Sequence, residues 1–101
     1  MKEVIEISNP SDQDLIVSYG DREITIELRW NDVLNYWYIN VKENDTYIAP
    51  GIPLTALNAN VFYDKFNLGK LYLVDTEQGV NNTPITKSDL GKRLALIREY
   101  A

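Results

Sequence analysis

The chain has 101 residues, a formal charge of −5 and neither cysteine nor histidine. These absences exclude Ser-His-Asp and Cys-His triads, disulfides and the usual zinc sites, which are built from Cys and His. The acidic balance disfavours binding to phosphate backbones, and the lack of cysteine fits folding in a reducing cytoplasm.

Two-residue alternation of apolar and polar residues dominates the chain and predicts short β-strands. The clearest run covers residues 23–30, in which the apolar residues share one face and the polar residues share the other. The apolar face holds Ile24, Ile26, Leu28 and Trp30, and the polar face holds Glu23, Thr25, Glu27 and Arg29. The other predicted strands, in chain order, cover residues 4–7, 15–19, 36–41, 46–49, 70–75 and 93–100. The last of these has a helix as its alternative, because Leu, Ala and Arg also favour helices.

The connections between these strands contain turn-forming residues. Asn31–Asp32 and residues 43–45 predict hairpin turns, and the strand over 46–49 is expected to end at Pro50–Gly51. Residues 55–60 could form one helical turn or a loop, and residues 61–63 a short strand or a buried anchor. The polar stretch 76–89 predicts a long loop, a feature that is often functional.

About seven short strands with frequent turns indicate an all-β protein. The prediction is a small single-domain barrel or sandwich of antiparallel strands spanning residues 1–101. The N-terminus lacks the apolar segment of a signal peptide, and the apolar runs are too short to span a membrane. The predicted core consists of Ile24, Ile26, Leu28, Trp37, Ile39, Leu71, Leu73, Leu94 and Leu96.

Acidic residues are the remaining source of possible chemistry. Asp75 and Glu77, or Asp12 and Asp14, lie two residues apart and could share one face of a strand. A glycosidase needs two such carboxylates with one raised pKa, but solvated turn acids explain these residues more simply. Asn31–Asp32 and residues 43–45 do not fit a calcium loop. No catalytic residue, metal site or cofactor is therefore expected, and the protein is not expected to be an enzyme.

Aromatic residues suggest contact with other proteins, because tyrosine and tryptophan combine an apolar body with a polar tip. The predicted interface residues are Trp30, Tyr36, Tyr38 and Tyr63. Asp75 and Arg93 are predicted to form a structural polar pair beside the 76–89 segment. As an alternative function, the cluster that includes Trp37 could serve a small carbohydrate- or cell-wall-binding module.

Several runs follow one another in a characteristic order between residues 15 and 100. An alternating strand ends at Trp30, its hairpin partner covers residues 36–41, and residues 69–75 read glycine, apolar strand and closing aspartate. The remaining matching positions are Ile48, Gly51, Pro53, Leu54, Pro84, residues 90–94 and Tyr100. In this order the chain resembles the baseplate plug family of contractile-tailed bacteriophages and prophages.

This resemblance implies a small β domain in the central hub region of a virion tail baseplate. There it would help to close or line the end of the tail tube, beside hub and spike proteins, after synthesis in the host bacterial cytoplasm. The resemblance implies neither catalytic residues nor a cofactor. It also implies contacts with other proteins, with self-association into a homo-oligomer as a further expectation and no specific nucleic acid, membrane or small-molecule partner.

Overall fold

The computed structural model describes residues 2–7, 12–54, 59–62, 66–76, 87, 90 and 94–100. Seven strands lie within them: β1 (Lys2–Ile5), β2 (Gln13–Tyr19), β3 (Arg22–Asn31), β4 (Tyr36–Glu43), β5 (Thr46–Pro53), β6 (Lys70–Asp75) and β7 (Leu94–Glu99). Among these residues, no helix is long and apolar enough to cross a membrane.

The strands form two antiparallel sheets. A four-stranded sheet has the order β2-β3-β4-β5, and a three-stranded sheet has the order β1-β7-β6. Both sheets contribute to one hydrophobic cluster, so the fold is a sandwich. This decides between the two architectures that the alternating pattern left open.

The core lies between the two sheets, on the faces that the alternation predicts. All nine residues predicted for the core are at most 1% exposed. Trp37 on β4 is among the largest of the fully buried side chains. Phe62 is 3% exposed and lies outside the strands, so the segment before residue 63 is a buried anchor. The core prediction is confirmed.

The structure corrects two predicted strand boundaries and shows that the last element is a strand. β5 does not end at Pro50–Gly51 but continues to Pro53, because it is an edge strand, where proline removes no ladder hydrogen bond. β1 covers Lys2–Ile5 rather than residues 4–7. Residues 94–99 form strand β7 rather than a helix, since β1 and β6 pair with it on both sides.

The hairpin turns follow the predicted chemistry. Glu43 pairs with Thr46, and the two residues between them, Asn44 and Asp45, both have positive φ angles of 51° and 39°. Positive φ at both central positions matches the twist of a two-residue hairpin, and Asn and Asp tolerate it. The predicted turn at residues 43–45 is confirmed.

A buried arginine joins the two sheets. Arg98 on β7 is 5% exposed, its Nε donates to Glu3 Oε1 at 2.6 Å, and its Nη1 donates to the Ser18 carbonyl on β2 at 3.0 Å. Its guanidinium also lies over the rings of Tyr19 and Tyr100, at 4.6 and 4.1 Å from their centroids. Because these partners come from both sheets, Arg98 fixes how they are placed at this end of the sandwich.

Candidate protein-contact surfaces

The outer face of the four-stranded sheet carries a group of aromatic side chains. Tyr36 and Tyr38 alternate with buried residues on β4, so they point away from the core, and their ring centroids lie 6.2 Å apart. Arg29 is the cross-strand partner of Tyr38. Tyr47 on β5 is 53% exposed. These four residues are called the tyrosine face below.

A buried carboxylate supports the tyrosine face from beneath. Glu27 is 8% exposed although it lies on the outer face of β3. It accepts hydrogen bonds from Tyr47 Oη at 2.9 and 3.0 Å and from Asn40 Nδ2 at 3.1 Å, and Lys42 Nζ lies 3.9 Å away. The bond to the carboxylate raises the pKa of the Tyr47 hydroxyl. Tyr47 is therefore held in one orientation by a charge-assisted hydrogen bond.

Arg29 is also held in place by the neighbouring edge strand. Its Nη2 lies 2.9 Å from Asp14 Oδ1, and its Nη1 donates to the Gln13 carbonyl at 3.2 Å. An exposed ion pair of this kind adds little stability. Its consequence is positional, because it directs the Arg29 guanidinium toward β2 on the outer face of the sheet.

The predicted interface residues do not share one face. Trp30 is the cross-strand partner of Trp37, with ring centroids 5.4 Å apart, and it packs against the core on the inner face. Tyr36 and Tyr38 lie on the opposite face of the same sheet. Tyr63 lies outside the described residues. The alternation along β4 thus separates Tyr36 and Tyr38 on the outer face from Trp37 on the inner face. Trp37 is 0% exposed and belongs to the core.

The predicted polar pair is described on one side. Asp75 is half-buried at the end of β6, where Leu94 is its partner in the register. Arg93, immediately before Leu94, lies outside the described residues, as do Glu77 and most of the 76–89 segment. The pairing of Asp75 with Arg93 stays a prediction.

The other acids considered for catalysis have structural partners. Asp12 Oδ1 accepts a hydrogen bond from the Trp30 amide at 3.0 Å, and Asp14 pairs with Arg29. These two carboxylates thus hold β2 against β3. In the part of the chain that the structure describes, no group of three or more acidic residues could hold a metal ion.

The turn between β3 and β4 exposes two apolar side chains that the alternating pattern did not single out. Val33 is 86% exposed and Leu34 is 68% exposed. Asn31 Oδ1 accepts hydrogen bonds from both of their amides, at 2.9 and 3.0 Å, and the Asn35 amide donates to the Asn31 carbonyl at 2.8 Å. Residues 32–35, called the hairpin tip below, are therefore held in a defined turn. The sequence does contain a signal for this exposed tip, because two apolar residues, Val33 and Leu34, stand among the polar residues of a turn.

These features define the class of the protein: a small β-sandwich that presents a braced aromatic face and an apolar hairpin tip. A family model described as cyanophage baseplate Pam3 plug gp18 matches residues 1–99. The chain belongs to this family of bacteriophage baseplate plug proteins, which confirms the resemblance seen in the order of its strands. No curated protein matches the chain.

Proposed function

We propose that this protein is a non-catalytic structural component of a bacteriophage tail baseplate. It acts at the end of the tail tube, through contacts with neighbouring hub or spike proteins. The observation that carries this proposal is the family match over residues 1–99, which includes all seven strands. The match thus extends over nearly the whole chain rather than over one motif.

The tyrosine face supports a role in protein contact. Tyrosine and arginine are enriched among the residues that contribute most to binding between proteins, and here Arg29, Tyr36, Tyr38 and Tyr47 lie on one sheet face. Hydrogen bonds to Glu27 and Asp14 hold two of the four. Side chains that are already ordered lose less conformational entropy on binding, so this face suits a permanent assembly.

The ionisable groups support a non-catalytic role. Four carboxylates each bind a side chain on a different strand and so help to hold the sandwich together. They are Glu27, Asp14, Glu43 and Glu3. A carboxylate used for general acid-base chemistry instead faces a cleft where substrate can reach it. The formal charge of −5 also suits a component beside a DNA channel, because like charges disfavour adhesion of nucleic acid.

Incorporation into particles tests this proposal. The gene is deleted from the phage or prophage and restored as wild type or as the double variant Tyr36→Ser/Tyr38→Ser. Purified tails are then analysed by mass spectrometry and electron microscopy. The wild type should be recovered with the tails, and the double variant should be recovered at a level at least tenfold lower, which corresponds to about 1.4 kcal/mol of lost contact energy.

Glu23→Ser is the matched control, because Glu23 is an exposed residue on the outer face of the same sheet. It should be incorporated like the wild type, and both variants should keep the wild-type melting temperature. Absence of the wild-type protein from purified tails, or fully normal tails after deletion, would reject the proposed function.

The carbohydrate-binding alternative loses its main residue in the structure. A sugar-stacking platform needs an exposed aromatic ring, and Trp37 is fully buried and packed against Trp30. We therefore propose no second function.

A further inference from the structure

The edge strands of the two sheets differ in how they are protected against pairing with another chain. β5 contains Pro50 and Pro53, which carry no amide hydrogen, and its register shifts twice. β1 has only four residues. β6 is covered, since the Val61 amide donates to the Leu71 carbonyl at 2.9 Å and the Leu71 amide donates to Asn60 Oδ1 at 3.0 Å. These three edges are thus interrupted, short or covered.

The fourth edge strand, β2, is long and regular. It has seven residues and no proline, its ladder with β3 runs without a register shift, and no described strand lies beyond it. Its one charged residue, Asp14, is paired with Arg29. Ile16, at the centre of the strand, is 65% exposed. A regular edge with an exposed β-branched residue is the kind of edge that pairs with another strand.

The hydrogen bonds at one end of β2 show which of its backbone groups point away from β3. The Ser18 carbonyl accepts a hydrogen bond from Arg98 of the other sheet, at 3.0 Å, so it points outward. The next residue pairs with the first residue of β3 across a two-residue turn, as in a hairpin closed by hydrogen bonds. Because the direction alternates along an antiparallel strand, the amide and carbonyl groups of Asp14 and Ile16 also point outward.

An extended strand of another polypeptide can bond these outward groups. Asp14 and Ile16 are two residues apart, about 6.8 Å along the strand, which is the spacing of the inward groups of a second β-strand. Added strands gain affinity from main-chain hydrogen bonds and selectivity from the neighbouring side chains. Since Arg98 already binds the Ser18 carbonyl, the added strand pairs with the part of β2 before Ser18.

The charges around this edge are predominantly acidic. Within residues 2–7 and 12–31, seven acidic residues accompany three basic ones. Each of these bases faces an acid, as do two bases that approach from β4 and β7. The pairs are Arg22 with Glu43, Arg29 with Asp14, Lys42 with Glu27, Arg98 with Glu3 and Lys2 with Glu99. Among the described residues, four acids of this region form no ion pair: Glu6, Asp12, Asp21 and Glu23.

This excess of acid favours a partner that carries lysine or arginine, because complementary charge promotes association. No single acid accounts for the preference, since one exposed charge contributes little by itself. The same charges disfavour a second copy, because each chain carries a formal charge of −5. An antiparallel pairing of two copies centred on Ile16 would also place Asp14 opposite Ser18 in the other copy, where Arg98 already binds the carbonyl.

We propose that the outer edge of β2 receives an extended, basic strand of a different protein, which extends the four-stranded sheet to five strands. Its backbone pairs with Asp14 and Ile16, an apolar side chain lies beside Ile16, and lysine or arginine side chains face the surrounding acids. The inference rests on the protein-contact role proposed above and gives that role a second surface, at the edge of the sheet opposite β5.

Amide hydrogen exchange in the free, full-length protein tests the orientation of the edge. The protection factor measured by NMR should be at least tenfold lower for Ile16 than for Val17, because the Val17 amide points toward β3. The same difference is expected between Asp14 and Leu15. Equal protection of Ile16 and Val17 would show that the edge is already covered and overturns the proposal.

Titration with a synthetic peptide tests the chemistry of the partner. The probe is a peptide blocked at both ends, in which valine alternates with threonine and lysine, and the control peptide has glutamate in place of lysine. At low salt the lysine peptide should bind at least tenfold more tightly and should protect the Ile16 amide. Added salt should reduce this difference by screening. Equal binding of the two peptides, or protection confined to other strands, overturns the proposal.

The peptide-free protein gives a further test, because self-pairing would cover the same edge. Protection of the Ile16 amide that rises with protein concentration would show pairing between copies. That result overturns the proposal of a different, basic partner.

Ile16→Pro removes one outward amide from the edge. Proline is tolerated in an edge strand where the amide faces solvent, so this variant should fold and bind the lysine peptide at least tenfold more weakly. Ile16→Thr is the matched control, since it keeps the amide and the branched side chain and should retain most of the binding. An Ile16→Pro variant that does not fold, or that binds like the wild type, overturns the assigned orientation of the edge.

These outcomes are separate from those of the baseplate role. A wild type that enters tails but binds neither peptide overturns the edge inference and leaves the proposed function standing. A wild type that binds the lysine peptide at β2 but is absent from purified tails rejects the proposed function and leaves the edge as a strand-binding surface.

Discussion

The two faces of the four-stranded sheet bury their residues for different reasons. On the inner face, Ile24, Ile26 and Leu28 are fully buried because they are apolar and face the second sheet. On the outer face, Glu27 is 8% exposed, and hydrogen bonds from side chains on β4 and β5 surround it. The comparison shows that burial on the inner face follows from hydrophobicity, whereas burial on the outer face depends on specific polar partners.

The largest loss of stability is expected from truncation on the inner face. Leu28→Ala removes buried methyl groups and leaves a cavity, so it should lower the free energy of unfolding by about 2–5 kcal/mol. Chemical denaturation monitored by tryptophan fluorescence measures this loss. Val33→Ala is the control, because Val33 is 86% exposed and should change stability by less than about 0.5 kcal/mol. Similar losses in both variants would contradict the assignment of the inner face.

A smaller loss is expected from Glu27→Ala on the outer face. The substitution removes the acceptor for the hydrogen bonds from Tyr47 and Asn40. A buried hydrogen bond to a charged group contributes about 1.5–3 kcal/mol to the free energy of unfolding. Because Tyr47 is half-exposed and can bond water instead, the expected loss is about 1–2 kcal/mol in total. Glu23→Ala, on the same face of β3, serves as the control. A loss no larger than that of Glu23→Ala would show that the Glu27 network does not stabilise the sheet.

Tyr47→Phe sharpens this comparison by removing one hydroxyl. In the wild type it should lower the free energy of unfolding, because the hydroxyl loses its hydrogen bond to the Glu27 carboxylate. In the Glu27→Ala background it should cost almost nothing, since the acceptor is already absent. This double-mutant cycle measures the coupling between the two residues. Equal effects in both backgrounds would mean that the Tyr47 hydroxyl acts independently of Glu27.

The smallest effect is a pH dependence at Glu43. The hydrogen bond from Arg22 lowers the pKa of Glu43 below its ordinary value of 4.5. A lowered acid pKa contributes stability that is present above the unfolded value and is lost as the pH falls through the folded value. Glu43→Gln should therefore lose less stability than the wild type between pH 5 and pH 3, as measured by denaturation at each pH. Glu23→Gln is the control and should follow the wild-type profile.

Much of the fold was predictable because local chemistry and tertiary environment agree. The alternation over residues 23–30 places three apolar side chains on one face, and the sandwich buries all three. The positive φ angles of Asn44 and Asp45 are those that a two-residue hairpin needs. By contrast, the end of β5 was misplaced at Pro50–Gly51, because the sequence does not show that this strand lies at an edge.

The candidate surfaces were less predictable. Trp30, Tyr36 and Tyr38 were all chosen as interface aromatics, but only the two tyrosines lie on the outer face. Trp30 lies on the inner face, where the alternation had placed it with Ile24, Ile26 and Leu28. The hairpin tip was missed, since Val33 and Leu34 sit in a turn, where the alternating pattern carries no information. A cavity lined by Tyr19, Leu68 and Tyr100 was not predictable either, because these residues are far apart in the chain.

The sequence by itself determined the strand content, the inner face of each sheet and the absence of cysteine and histidine chemistry. These properties depend on residue type and on a two-residue period, which act locally. Only the tertiary structure decided how the two sheets pack together and that Glu27 and Arg98 are buried. Each of these arises from contacts between residues that are distant in sequence, and their geometry exists only once the two sheets have packed together.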